Sequence, residues 1–521
     1  MRKHFKNMSL TATGTLGSRI LGLLRDQLTA GFFGAGMVGS ALLFALQIPN
    51  LFRRLLGEGA LTAALVPVMS DEHRLGGRES AFRFLNQVLT RATPLIVAIA
   101  LVTMLTAWSL SHCDMEPRHR LAATLTALCM PYMPLACLAA VFSGALNLLG
   151  RFGVTSLGAL WLNIAMIGAL CTGGILFAHG QSTLAVWVCY GTLLGGALQL
   201  LAPAAALWRE GWRPRIDFSP SESWERLKTI FLPAVAGAGV QQVNFLVSRF
   251  LALNTDDRAL TVYYLANRIV ELPIGIFAIT ISTVVFPIMA MHAAAGENDS
   301  MGAEFARGTR LLLAITLPAA AGIIALAQPI VCILFEHGKF TADDTAAALP
   351  VLCVFAGAMP FHGMAILMGR ALNAVKETRI QAKIAGWVFA LNLLLSPPLA
   401  WAYGATGLAV ANLAAAIFQC AALWVSLRGK DPAFTRESPA SPLAKSLAAS
   451  LITGVFAYGA WIIAAPLCAW IATCGIDTIG KAAVLVLLIA ISAALYFALL
   501  FAFRHPESDF LRKKIARFRQ R

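Results

Sequence analysis

This sequence is short of charge. Asp, Glu, Lys and Arg make up 13% of its 521 residues, about half the share of an ordinary soluble domain, which excludes a water-soluble enzyme of this length. Acids are the scarcer sign, 26 against 41 Lys and Arg, for a net charge of +15. Such an excess points to nucleic acid when it forms a surface patch. Here the basic residues fall in short clusters between long apolar runs, so no nucleic-acid partner is expected. There is no Walker sequence and no GxGxxG after a strand, so a nucleotide-driven role lacks its phosphate cradle. His112, His119, His292, His337, His362 and His505 have no ligand spacing, and neither a metal nor a cofactor is expected. Most of the ten cysteines, among them Cys129, Cys137, Cys171, Cys189, Cys332, Cys353 and Cys420, sit singly in apolar runs, as small hydrophobes do. Only Cys468 and Cys474, near a predicted external loop, are placed for a disulfide, should their geometry permit it. Met1 to Lys6 is basic, but Ser9 to Gly17 is rich in Thr and Gly, so no signal peptide is expected.

Long apolar runs are what the chain does have. A span needs about 20 mostly apolar residues, and about fourteen segments qualify: 9–33, 38–69, 84–111, 121–149, 154–178, 183–208, 228–253, 259–293, 308–335, 345–373, 380–403, 405–427, 444–468 and 480–503. The fold class is all-α, a polytopic membrane protein. With the N-terminus inside, about 28 Lys and Arg fall in inner loops and tails and about 5 in outer loops. That asymmetry places both termini in the cytoplasm. The basic tail, 504–521, is a topology signal and a contact for anionic membrane lipid.

The chain also repeats itself. Val66-Pro67-Val68-Met69 ends the second span and Phe286-Pro287-Ile288-Met289 the eighth; Ala145-Leu146-Asn147 closes the fourth and Ala371-Leu372-Asn373 the tenth; Ala206-Leu207-Trp208 ends the sixth and Ala422-Leu423-Trp424 the twelfth. Met133-Pro134 and Met359-Pro360 match likewise. The order is shared and the offset is roughly 220 residues throughout. Two six-helix lobes follow, 1–208 and 228–428, joined by a cytoplasmic linker at 209–227, with a loop and two extra helices at 429–503. An even number of spans per lobe gives a pseudo-two-fold along the membrane normal, and binding sites in such proteins lie between the repeats.

A charge at mid-bilayer costs about 2.5–3.5 kcal/mol on insertion scales, so the arginines inside spans need reasons. Arg91, Arg249 and Arg370 each lie within about two turns of a predicted helix end, where snorkelling to the headgroups is the simpler reading. Arg53 and Arg54 lie in the second span; Arg19 and Arg25 in the first and Arg268 in the eighth, with Arg53, are harder to dismiss. Arg19 and Arg25 are six residues apart, about 9 Å along a helix and some 240° around it. Glu271, three residues after Arg268, offers a structural alternative by holding its guanidinium. Arginine's planar fork suits a phosphate or diphosphate, and arginines converging from two lobes would bind a polyanion. Glu58 and Glu271 are the main membrane carboxylates, too few for a site that binds a cationic drug.

At these residues the sequence resembles a known family. Ser18-Arg19-Ile20-Leu21-Gly22-Leu23-Leu24-Arg25-Asp26, Phe33-Gly34-Ala35-Gly36, Pro49-Asn50-Leu51-Phe52-Arg53-Arg54 and Glu58-Gly59-Ala60 are similar to the N-terminus of the MurJ (MviN) lipid II flippases, in the multidrug/oligosaccharidyl-lipid/polysaccharide exporter superfamily. Phe335-Glu336-His337-Gly338-Lys339-Phe340-Thr341 and Arg370-Ala371-Leu372-Asn373-Ala374 fit as well. The resemblance implies a transporter of lipid-linked disaccharide-pentapeptide for peptidoglycan assembly, not an enzyme, working as a monomer in the bacterial inner membrane by alternating access. By motif match, Arg19, Arg25, Arg53, Arg268 and Asn50 receive the diphosphate, and Ser18, Asp26 and Glu58 act as gate or support; Glu271 joins the supporting residues by its spacing to Arg268. Many relatives carry acids where this chain has Ser40 and Asn267, and prolines in the fifth span that are absent around Thr155 and Ala159. The fifth helix is therefore expected to run without a kink. Export of another polyprenyl-diphosphate glycan and cation-coupled drug export are the competing functions. Sodium, proton and membrane-potential driving remain equal readings.

Overall fold

The structure, a computed structural model, describes residues 2–176, 180–436, 440–473 and 477–508, and among these it is helical with no strand. In chain order the elements are α1 (Arg2–Phe33), α2 (Met37–Phe52), a π-helical segment Arg53–Leu61, α3 (Thr62–Ser111), α4 (Pro117–Cys129), α5 (Tyr132–Leu148), α6 (Phe152–Ser156), α7 (Gly158–Leu176), α8 (Gln181–Arg209) and α9 (Glu222–Thr255). There follow α10 (Ala259–Pro273), a second π-helical segment Ile274–Ala278, α11 (Ile279–Ala295), α12 (Asn298–Ala325), α13 (Ala327–Phe335), α14 (Ala342–Ala374), α15 (Thr378–Lys430), α16 (Ala433–Arg436), α17 (Ala440–Thr473) and α18 (Asp477–Ala502). Nine helices among the described residues are long and apolar enough to cross a membrane, or ten if the bent pair α4–α5 is one span. Two continuous helical runs contain glycines with non-helical backbone, Gly77 in α3 and Gly404 in α15, and each divides into two rods there. With α1 and α9 beside them, the helices are compatible with the fourteen segments read from the sequence. Bulky apolar side chains face outward, Trp401 at 93% exposure and Ile175 at 82%, as lipid-facing surfaces require.

The chain forms two compact units. The first holds residues up to Thr261 together with His337–Phe340; the second runs from Val262 to Glu336 and on from Thr341. Helix α9 thus packs with the first unit, on α2, α3 and the π segment between them, whereas the repeat boundary in the sequence falls earlier, at 209–227. In the first unit Leu65, Met69, Leu146 and Leu207 meet in one buried cluster. In the second, Val285, Met289, Leu372 and Leu423 do the same. Met69, Leu146 and Leu207 match Met289, Leu372 and Leu423 in the repeated motifs, and Leu65 and Val285 each directly precede one, so each motif is a core contact of its own unit.

Two further details repeat. Helix α5 ends with Gly150 at φ +74°, its N–H donating to Asn147 (3.0 Å) and that of Arg151 to Leu146 (2.9 Å). Helix α14 ends identically in pattern: Lys376 sits at φ +62°, donating to Asn373 (3.1 Å), and Glu377 donates to Leu372 (2.9 Å). Both are left-handed caps that satisfy the last carbonyls. The two π segments also correspond, each lying one to three turns before its Pro-containing motif at Pro67 or Pro287. A π turn carries one residue more than an α turn and recurs at functional sites.

Two polar attachments hold the first unit's edges. Lys339 donates its N–H to the Gly31 carbonyl (2.8 Å), fixing 337–340 on the end of α1. The approach is so close that Gly34, at φ +64°, would place a Cβ 2.5 Å from the Lys339 carbonyl oxygen. The linker between α8 and α9 lies on α3: Asn86 donates to the Arg213 carbonyl (3.0 Å) and accepts from Trp212 (2.9 Å), and Ser221, the N-cap of α9, donates to Gln87 (2.7 Å). Ser219 donates its hydroxyl and its N–H to the Asp217 carboxylate, and these two bonds hold that carboxyl below its usual range.

Candidate functional site

Helix α1 carries the central group. Arg25 Nη2 lies 2.8 Å and its Nε 3.1 Å from Asp26 Oδ1, and Nη1 donates to Asn163 Oδ1 on α7 at 3.1 Å. The Asn163 amide donates in turn to the Ser18 carbonyl at 3.1 Å. Asp26 is 2% exposed and the Arg25 side chain 18%. A buried ion pair seldom adds stability, because desolvation offsets the attraction; its effect here is to fix the guanidinium. Arg19, half-buried on the same helix, has no hydrogen bond or ion pair to the described residues, so its N–H fork faces no fixed acceptor among them.

On α2, Asn50 donates to the Leu46 carbonyl (2.8 Å) and accepts from Arg53 Nε (3.2 Å). Arg53 is the first residue of the π segment. The Glu58 side chain lies outside the described residues, as do Cys474 and the tail beyond Ser508. In the second unit, Arg268 Nη1 is 3.3 Å from Glu271 Oε2, and Asn267 donates to Glu271 Oε1 at 2.8 Å. The holding role read for Glu271 is thus a real contact, with both partners partly exposed at 29% and 40%. A neutral amide at 267 suits this arrangement, since an acid four residues before Glu271 would repel it. Ser40 is equally accommodated: it is buried, donates to the Asp257 carbonyl (2.7 Å) and shares a hydrogen bond with Thr261 (3.0 Å).

Three expectations need correcting. Arg249 is not a snorkelling residue: it is 3% exposed, with its guanidinium carbon 4.0 Å from the centroid of Phe245. Proximity to a helix end misled, because that end is covered by protein. Arg91 braces the linker, donating to the carbonyls of Phe218 and Ser219 at 2.8 Å each and lying over Trp224 at 5.0 Å. Arg370, by contrast, is exposed. The fifth span is also interrupted despite lacking proline. The chain turns at Leu157 between α6 and α7, where Thr155 donates to Asn147 Oδ1 (2.8 Å) and Ser156 to the Gly153 carbonyl (2.9 Å), competing with the helix's own bonds.

The residue that sequence reasoning missed is Asn163. Its signal was present: a lone amide in an apolar span must find partners.

A polytopic helical chain with guanidinium groups fixed inside its spans has the form of a membrane transporter, and the fold agrees. An inward-facing multidrug resistance MATE family transporter of the MOP superfamily matches at TM-score 0.63 and 16% identity, covering 81% of this chain and 96% of that one. A lipid II flippase MurJ in an inward closed conformation matches at TM-score 0.77 and 23% identity, over 97% and 99%. The family model "Lipid II flippase MurJ" matches residues 29–473, and the chain belongs to that family, one of transporters and not of catalysts. Relatives named as probable lipid II flippases include those of Rhizobium meliloti, 29% identical over 98% of this chain and 96% of the relative, and Vibrio cholerae, 28% identical over 82% and 83%.

Proposed function

We propose that this protein is a lipid II flippase of the bacterial inner membrane, with both termini cytoplasmic. It moves the undecaprenyl-diphosphate-linked peptidoglycan precursor from the inner to the outer leaflet by alternating access. Arg19, Arg25, Arg53 and Arg268 bind the diphosphate, with Asn50 orienting Arg53. Asp26, Ser18 and Glu271 support the guanidinium groups beside them, and Glu58 serves the gate that the family motif implies. The observation that carries this reading is the pairing of a fixed guanidinium, Arg25, with Arg19, which meets no acceptor among the described residues. Two cations on one helix, with one carboxylate that pairs with Arg25 alone, leave positive charge for a polyanion to neutralise.

The test is complementation of a flippase-depleted bacterium by Arg19→Ala, Arg25→Ala and Arg268→Ala, with lipid II accessibility at the outer leaflet as readout. Each variant is expected to insert normally and to fail to support growth. Full activity in all three would sink the diphosphate assignment.

A further inference from the structure

Helix α14 is the most enclosed span among the described residues, and it carries one ionisable side chain far from both of its ends. His362 lies more than three turns from either end. Its Nε2 is 3.0 Å from Asn412 Oδ1 on the second rod of α15, and both residues are half-buried. An amide oxygen accepts, so Nε2 carries the hydrogen and Nδ1 keeps its lone pair. Nδ1 has no hydrogen-bond partner among the described residues and is not sealed off by its neighbours. The pair therefore presents a base with one open position.

Helix α14 packs on α11, α12, α13, α15 and the π segment at 274–278. The charged groups and the histidine that bound their apolar stretches are Arg310 on α12, His292 on α11, Lys383 and Arg428 on α15, and Asp344 and Arg370 on α14 itself. Helix α13 and the π segment have none. Cys332, Cys353, Cys420 and Tyr403 ordinarily ionise only above about pH 8. Within these stretches His362 is thus the one side chain whose charge changes near neutral pH. An ionisable group inside a span is costly and marks an ion pathway or a proton relay. A purely structural link does not need imidazole: within α15, Ser396 and Asn392 pair through hydroxyl and amide alone. We propose that His362 is a proton-binding site that couples transport to a proton gradient, with Asn412 as its positioning residue. The proton adds to Nδ1, giving an imidazolium whose Nε2–H is still held by the Asn412 oxygen. It leaves from the same nitrogen once the site opens to the other side of the membrane, so only one N–H bond forms and breaks. The inference rests on the flippase reading for its cargo, but it stands on residues other than those proposed for the diphosphate.

The experiment has two arms, both on the purified full-length protein. In the first, the ring-nitrogen resonances of the histidines are followed from about pH 5 to about pH 9. The His362 signal is the one absent from His362→Gln, whose amide can still donate to Asn412, and displaced in Asn412→Asp, which decides the matter where His362→Gln loses its fold. One proton is expected to bind at Nδ1 within that range, with a midpoint raised by about one unit or more in Asn412→Asp, where a carboxylate faces the imidazolium. A His362 ring that stays neutral throughout overturns the site. In the second arm, proteoliposomes carry lipid II and a pH gradient, with the membrane potential clamped by valinomycin and equal potassium. With one proton moved per lipid, a gradient of about one unit should shift the final leaflet ratio of lipid II about tenfold in the wild type. In His362→Gln the gradient should leave that ratio unchanged. A full response in folded His362→Gln, or none in the wild type, overturns the coupling. A wild type that moves no lipid II at all overturns the flippase reading instead, and the first arm still decides the proton site.

Discussion

Replacing Gly34 by Ala tests the attachment of 337–340 to α1. Gly34 has φ +64°, and its missing Cβ would lie 2.5 Å from the Lys339 carbonyl oxygen and 3.1 Å from that carbonyl's carbon. Backbone cannot move aside as a flexible side chain does. An L-residue in the left-handed region costs roughly 1–2 kcal/mol. Displacing the strap also loses the Lys339 to Gly31 hydrogen bond, worth about 1 kcal/mol net. The local opening free energy should therefore fall by on the order of 2–3 kcal/mol, a factor of about 30 to 150 in the open population. Hydrogen exchange of the Lys339 amide in the purified protein reads that quantity directly. Gly357→Ala is the control, since a Cβ there meets nothing within 4 Å. Protection at Lys339 unchanged in Gly34→Ala, or lost equally in the control, would refute the reasoning.

Two other outcomes follow from features of the second unit. Lys376 occupies the cap position that Gly150 fills in the first, so Lys376→Gly should raise the melting temperature by relieving roughly 1 kcal/mol of left-handed strain; a lower melting temperature counts against the cap equivalence. His505 is buried, with Nε2 3.2 Å from the Ser446 hydroxyl. Burial holds its pKa below the ordinary 6.5, as Lys445 and Arg310 also do, while Glu507 opposes them. A depressed histidine contributes its full stability above the unfolded value and loses it as pH falls below about 6.5. Protection of residues 505–508 should thus decline from pH 7.5 to 5.5 and flatten in His505→Gln; equal decline in both excludes the histidine.

The spans were legible because membrane helices advertise themselves by length and apolarity, and Gly404 falls in the one-residue gap left between the eleventh and twelfth segments. The repeat was legible because Leu146 and Leu372, or Met69 and Met289, are held by equivalent cores. Arg25 was legible as an oddity but its partner was not, since Asn163 lies 138 residues away and only packing brings it near. Arg249 shows the same limit from the other side. Its neighbours in sequence suggested a helix end in the headgroups, and only the fold of Phe245 and α2 against it shows that end enclosed. The break at Leu157 arises from local hydroxyl bonds in a stretch without proline, where the usual sequence signal is missing.

The paired π segments carry a chronology. Both halves have one, yet their residues differ: Arg53 and Arg54 open the first, while Pro273 precedes the second and Arg268 sits more than a turn upstream. If the halves descend from a single ancestral bundle, the widened turn predates the duplication, and the arginines diverged after it, differently in each copy. The turn is then the shared device that lets each half bend, and the charges are what each half has fitted to its own side of the carrier.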